Sequence, residues 1–196
     1  MSDAISQLID LFSRLPGIGK RSAARLVFHI IETDQRFAQK LGDSLKEFHL
    51  NIKKCSSCAN ITDTDPCNIC VDLKRESSIV CVVENVPDLW AVNSGGTYRG
   101  KFHVLHGLLA PLDGIGPEDL NIKLLYDRVK KESVKEVIIA TRPSVEGEAT
   151  AMLIKENLKD MDVKITRIAS GVPHGSELEY IDSNTLERAI SGRREF

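Results

Sequence analysis

The chain has 196 residues, of which 42% are hydrophobic and 28% charged, and its formal net charge is −2. This composition is ordinary for a folded protein and excludes disordered and fibrous classes. No segment approaches the 18 consecutive apolar residues of a membrane span, and the N-terminal stretch carries acidic residues where a secretory signal is basic. We therefore expect a cytoplasmic protein of one or two compact units, without a membrane partner.

The charge is unevenly distributed along the chain. Residues 1–54 carry nine Lys or Arg against six Asp or Glu, whereas residues 76–196 carry fifteen against nineteen. A surface that binds phosphate is therefore expected near the N-terminus.

Apolar residues in the first fifty positions recur at helical spacing. They predict a helix around residues 5–12, a second helix opened by Ser22, and a third over residues 37–50. The N-terminal part is therefore expected to be helical.

A glycine-bounded turn precedes the second helix in the segment "RLPGIGKRSAARL", residues 14–26. Gly17 and Gly19 let the backbone approach a phosphate, and Lys20, Arg21 and Arg25 add positive charge at the helix N-terminus. Such a turn can hold a phosphate group, in a contact that does not read sequence. The alternative is a tight turn between helices, with glycines for geometry and solvated charges.

The segment "CSSCANITDTDPCNIC" holds two CxxC pairs, Cys55 with Cys58 and Cys67 with Cys70. Four thiolates on two tight turns complete a tetrahedral Zn²⁺ shell, and a closed shell of this kind is structural rather than catalytic. Two disulfides or four free thiols are the alternatives, and a cytoplasmic location argues against disulfides.

From residue 77 onward, short apolar runs alternate with helical patterns, which predicts a parallel α/β sheet. The predicted strands are residues 78–84, 102–107, 136–141 and 164–169, and the predicted helices are Val86–Val92, Glu118–Lys131 and Glu148–Leu158.

Acidic residues follow two of these strands: Glu84 after the first, and Glu146 with Glu148 after the third. Because parallel strands end at one edge, the three carboxylates are expected to lie near each other, where they could hold Mg²⁺. Alternatively, the acids after the third strand only complement a helix dipole, and Glu84 caps a loop.

Several motifs in this order resemble the RecR family of bacterial recombination mediators. They are "LPGIGKRSA", the four cysteines, "CVVEN", "YRGKFHVLHG", "PLDGIGPEDL", "VEGEAT" and "LEY", which together span residues 14–180. The resemblance implies a helix-hairpin-helix unit (1–54), a four-cysteine zinc finger (55–76), a Toprim-type parallel α/β domain (77–172) and a C-terminal oligomerisation segment (173–196).

For the site residues, the resemblance implies that Lys20, Arg21 and Arg25 contact DNA and that the four cysteines bind one structural zinc. Glu84, Glu146 and Glu148 match the acidic Toprim positions, although catalytic Toprim proteins usually carry Asp-x-Asp where this chain has Glu-x-Glu. These glutamates are therefore predicted to contact a partner, with Mg²⁺ as the alternative, and Arg142 beside them would compete with a metal.

The implied function is that of a non-enzymatic, DNA-binding mediator of recombinational repair. Such a protein would form a tetrameric ring that can encircle DNA, and would act with RecO and RecF to load RecA onto single-stranded DNA. The rival interpretation is a Mg²⁺-dependent phosphoryl-transfer enzyme or nuclease that uses the three glutamates.

Overall fold

Three helices open the chain in the computed structural model, which describes residues 2–193: α1 (Asp3–Ser13), α2 (Lys20–Glu32) and α3 (Gln35–Asn51). Ile9 of α1 packs against Ala23 and Val27 of α2, so the apolar faces of these two helices form a small core. The three helices constitute one compact unit that ends at Ile52.

The predicted helices are confirmed, with one corrected start. Helix α2 begins at Lys20 instead of Ser22, because Gly19 is in an extended conformation and serves as its N-cap. Lys20 and Arg21 therefore occupy the first helical turn.

The second compact unit begins at Lys53 with a small antiparallel pair, β1 (Lys53–Lys54) and β2 (Ile61–Thr62), followed by the short helix α4 (Asn68–Val71). The four cysteines lie around these elements.

A four-stranded parallel sheet follows, in the order β4-β3-β5-β6. Its elements are β3 (Glu76–Val83), α5 (Val86–Ser94), β4 (Gly100–Val104), α6 (Ile122–Glu132), β5 (Glu136–Ala140), α7 (Val145–Leu158) and β6 (Lys164–Arg167). Helix α8 (Ser183–Ser191) closes the described chain. No helix within residues 2–193 combines the length and apolarity needed to cross a bilayer.

Two predicted helix starts are corrected by the structure. Residues Pro117–Asp119 form a separate 3-10 turn, so α6 begins at Ile122 and not at Glu118. Helix α7 begins three residues earlier than predicted, because the Ser144 side chain caps it by accepting from the Gly147 N–H.

Both faces of the sheet are buried. One face, including Val80 and Ile139, packs under α6 and α7. The other, including Cys81 and Phe102, packs against Leu89 of α5. This explains the near-continuous apolar runs of β3 and β5.

The predicted fold class is confirmed: a helical N-terminal unit, a four-cysteine unit, a parallel α/β domain and a short C-terminal segment. The compact units separate at Ile52, and the finer boundaries at residues 76 and 172 stay a prediction.

Candidate functional site

The four cysteine sulfurs form a compact cluster in which all Sγ atoms lie within 4.8 Å of one another. Cys55 Sγ lies 3.9 Å from Cys70 Sγ, and Cys58 Sγ lies 3.6 Å from Cys67 Sγ. A tetrahedron with Zn–S bonds of about 2.3 Å has edges of about 3.8 Å, whereas a disulfide bond is about 2.05 Å long. The sulfurs therefore fit a Zn²⁺ shell, and all four are free of disulfides.

Four thiolates this close together would repel one another unless a cation lay between them. The hydrogen bond with Cys67 and burial of the group raise the pKa of the Cys58 thiol far above its usual range. A divalent metal supplies the charge that lets all four deprotonate. With four protein ligands the shell has no open position, so the centre is structural, as predicted.

The cysteine unit is hydrogen-bonded to the edge strand β4. The Val104 N–H donates to Cys58 O at 2.9 Å, and His106 Nε2 lies 2.6 Å from Ala59 O. Buried Lys101 donates through Nζ to the carbonyl oxygens of Cys70 and Asp72. These hydrogen bonds join the cysteine unit and the sheet into one structural body.

The turn before α2 carries the predicted DNA-contact residues. Gly17 has φ +78°, a left-handed conformation that favours glycine, and Gly19 caps the helix without any side-chain hydrogen bond. Lys20, Arg21 and Arg25 are exposed, and among residues 2–193 none has a carboxylate within salt-bridge distance. Free N–H groups and free cations thus meet at one helix N-terminus, an arrangement that suits a phosphate.

The acidic residues lie at the carboxyl edge of the sheet, as predicted. Glu84 follows β3 directly, and Glu146 and Glu148 lie in the first turn of α7. Position 147, between them, has room only for glycine, because a Cβ atom there would lie 1.9 Å from Arg142 O. The Glu-Gly-Glu sequence therefore reflects how closely α7 approaches the preceding loop.

The three glutamates do not form one metal-ligand group, which corrects the predicted gathering of carboxylates. Within the described chain, the cysteine cluster is the only set of three or more His, Cys, Asp or Glu residues close enough to hold an ion. Glu84 and Glu146 line a cleft of about 390 Å³, whereas Glu148 lines a neighbouring one of about 980 Å³.

Two of the three glutamates form ion pairs with arginine side chains. Arg142 Nε lies 3.3 Å from Glu84 Oε2, so a cation lies beside the acidic residues, as predicted. Arg167 Nη1 donates to Glu148. Glu146 is exposed, and a hydrogen bond from Ser144 lowers the pKa of its carboxyl, with a smaller contribution from Arg142. Glu146 is therefore the ionised carboxylate most available to a partner.

Sequence reasoning missed two residues of this edge. Asp113 lines the cleft with Glu84 and Glu146, although its motif "PLDGIGPEDL" served only as part of the family resemblance. Arg167 is the last residue of β6, but the predicted strand ran to residue 169, so no signal in the sequence indicated that this side chain reaches Glu148.

Comparison with known families matches four consecutive segments of the chain. These are the helix-hairpin-helix of RecR (residues 5–49), the four-cysteine zinc finger domain of RecR (52–72), the Toprim domain (78–169) and the C-terminal part of RecR (171–194). The chain therefore carries a four-cysteine zinc finger with one structural zinc.

Known relatives align with this chain over nearly their whole length. The chain is 48% identical over 195 residues to recombination protein RecR of Anaeromyxobacter sp. (strain Fw109-5), covering 100% of this chain and 98% of the relative. It is 46% identical over 192 residues to recombination protein RecR of Syntrophobacter fumaroxidans, covering 98% and 96%. For the same protein of Natranaerobius thermophilus the identity is 45% over 191 residues, covering 97% and 96%.

Proposed function

The chain belongs to the RecR family of recombination proteins, and from that premise we propose that it is a non-enzymatic, DNA-binding mediator of recombinational DNA repair. In this proposal it acts with RecO and RecF to load RecA onto single-stranded DNA. The observation that carries the proposal is the cluster of three exposed cations without ion-pair partners among residues 2–193, at the start of α2.

DNA contact through this turn would be made to backbone phosphates. Lys20 and Arg21 lie in the first turn of α2, and Arg25 lies one turn later, on a helix whose N-terminal N–H groups lack a side-chain cap. Phosphate contacts position a protein without reading bases, so binding would be independent of sequence and weakened by salt.

Three cations give weak binding alone, and we propose that a tetrameric ring adds the contacts of several subunits by avidity. Exposed apolar side chains on α3 support assembly. Leu45 and Phe48 are each 61% exposed and Leu50 is 73% exposed. Large apolar side chains exposed together on one helix are typical of surfaces buried between subunits.

The acidic cleft would receive a basic partner surface, for which we propose RecO. Its lining holds three carboxylates, Glu84, Asp113 and Glu146, against the single cation Arg142. Opposite charge on a partner would speed association and set its orientation.

The arrangement of the carboxylates supports a non-enzymatic role over Mg²⁺-dependent phosphoryl transfer. Two-metal and one-metal phosphoryl-transfer sites need several carboxylates around one point. Here Glu84 and Glu148 line different clefts and each pairs with an arginine. End-labelled single-stranded and duplex DNA should stay intact with Mg²⁺ or Mn²⁺, and cleavage that disappears in Glu148→Gln would establish the enzyme instead.

The test of the mediator role is RecA filament formation on single-stranded DNA coated by single-strand-binding protein. Adding this chain with a RecO partner should shorten the lag before RecA hydrolyses ATP on that DNA. Arg21→Ala with Arg25→Ala should lengthen the lag again. An unchanged lag with the wild-type chain would contradict the mediator role.

A further inference from the structure

Lys101 is an unusual residue for its place in the fold. It lies in β4, where every residue is buried, and only 7% of its surface is exposed. Lysine is almost never this buried unless its ammonium group has partners. Its Nζ donates to the carbonyl oxygen of the zinc ligand Cys70, and it lies 3.4 Å from Asp72 O.

The zinc centre beside it carries negative charge that water does not screen. Four thiolates around Zn²⁺ leave a net charge of −2. Cys55, Cys58 and Cys67 are at most 2% exposed. A buried charge is costly unless a charge of opposite sign compensates it.

Other charged groups near the centre supply only part of that compensation. Arg128 is buried under β4 and its positive charge acts on the Cys70 thiol, but its guanidinium also pairs with Glu132 at 3.0 Å. The Asp65 carboxylate accepts from the Ser56 N–H within the cysteine unit and adds negative charge. Among residues 2–193, Lys101 has no carboxylate within salt-bridge distance, so its charge is available to the zinc centre.

We propose that Lys101 is a positioning and charge-compensating residue for zinc, held in the α/β domain and acting on the zinc finger. It fixes the Cys67–Cys70 turn through the Cys70 and Asp72 carbonyls. Its ammonium group also offsets the −2 charge of the centre. The finger therefore retains zinc with the help of the sheet, and not from its four cysteines alone.

The test compares zinc retention in Lys101→Met and Lys101→Arg with that in the wild-type chain. Outer-shell partners of metal ligands contribute about 10–100-fold to metal affinity. Lys101→Met should weaken Zn²⁺ affinity, measured by chelator competition, by about this factor and should speed zinc release to a chromogenic chelator. Lys101→Arg keeps the charge and should restore most of the affinity. The Co²⁺-substituted proteins should all show tetrahedral thiolate spectra.

Lys74→Met is the matched control, because Lys74 follows the same cysteine turn but is exposed, and its removal should leave zinc release unchanged. If Lys101→Met does not fold, Lys101→Gln replaces it, since the amide still donates to a carbonyl but carries no charge. Wild-type zinc affinity in the neutral variant would overturn the proposal. An arginine variant as weak as the neutral one would overturn its electrostatic part.

Discussion

Arg142 Nε lies 3.3 Å from Glu84 Oε2, so the acidic cleft already contains a cation of its own. Glu84 is largely buried, whereas the Arg142 side chain is 62% exposed. Asp113 and Glu146 line the same cleft, so its formal charge remains −2. A basic partner would therefore meet net negative charge, but it would have to compete with Arg142 for Glu84.

Reversing the charge of Glu146 should weaken the partner complex without affecting DNA binding. In Glu146→Lys an exposed attraction becomes a repulsion, and we expect affinity for a RecO partner to fall by about tenfold. Isothermal titration calorimetry measures this change. Glu156→Lys, on the exposed far end of α7, is the matched control and should bind normally.

Replacing Arg142, the cation that pairs with Glu84 inside the cleft, should increase affinity for the partner. Arg142→Gln leaves Glu84 free for the partner, so the same complex should become tighter. A weaker complex in this variant would mean that Arg142 itself contacts the partner.

Gly147 should not accept even the smallest side chain. Because its Cβ would lie 1.9 Å from Arg142 O, Gly147→Ala must displace the loop or the start of α7. We expect a loss of about 1–3 kcal/mol in the free energy of unfolding, measured with urea. Gly42→Ala is the control, since nothing lies within 4 Å of its Cβ on α3. Equal stability of the two variants would contradict the close approach.

Much of the architecture was accessible from the sequence because it depends on local patterns. Apolar runs predicted the four parallel strands, and the CxxC spacing predicted the sulfur cluster. The predicted end of β4 at residue 107 was wrong, because His106 has φ +63° and turns the chain after Val104. Gly107 at the end of the run "FHVLHG" was the local signal of that turn.

Contacts between distant segments were the part that sequence reasoning could not reach. Strand direction predicted that the glutamates lie at one edge of the sheet. It did not predict that Arg167, at the end of β6, pairs with Glu148. Likewise, Lys101 appeared only as part of a motif, and its carbonyl partners lie about 30 positions earlier in the chain. Pairings of this kind depend on three-dimensional packing and have no local signal.

His103 should make the protein less stable in mild acid. It is wholly buried on β4, and burial lowers its pKa from 6.5 to about 4. The folded state therefore keeps His103 neutral while the unfolded chain takes up a proton, so stability is lost as pH falls from 6.5 towards 4. At pH 5 the loss is about 2 kcal/mol.

Urea unfolding of wild type and His103→Gln at pH 7 and pH 5, with excess zinc, isolates this contribution. Glutamine can still donate to Asn121 O, the acceptor now 2.8 Å from His103 Nε2, but it does not titrate. The zinc site is the same in both proteins, so their difference in pH dependence reports on His103. Identical pH dependence would show that His103 does not contribute.

Zinc removal should loosen the edge strand as well as the finger. The Val104 N–H donates to Cys58 O, so chelation should speed hydrogen exchange at Val104 by at least about tenfold. Ile139, on the central strand β5, packs on the α6 and α7 face of the sheet and is the internal reference. Equal protection of Val104 with and without zinc would show that the finger is independent of the sheet.

The salt dependence of DNA affinity tests the central claim most directly. Log affinity should fall linearly with log salt concentration, and each phosphate contact contributes about 0.9 to the slope for duplex DNA. Arg21→Ala and Arg25→Ala should each weaken binding and reduce the slope by about 1 per bound subunit, equally for unrelated DNA sequences. Unchanged affinity and slope in both variants would contradict DNA binding through the turn that begins α2.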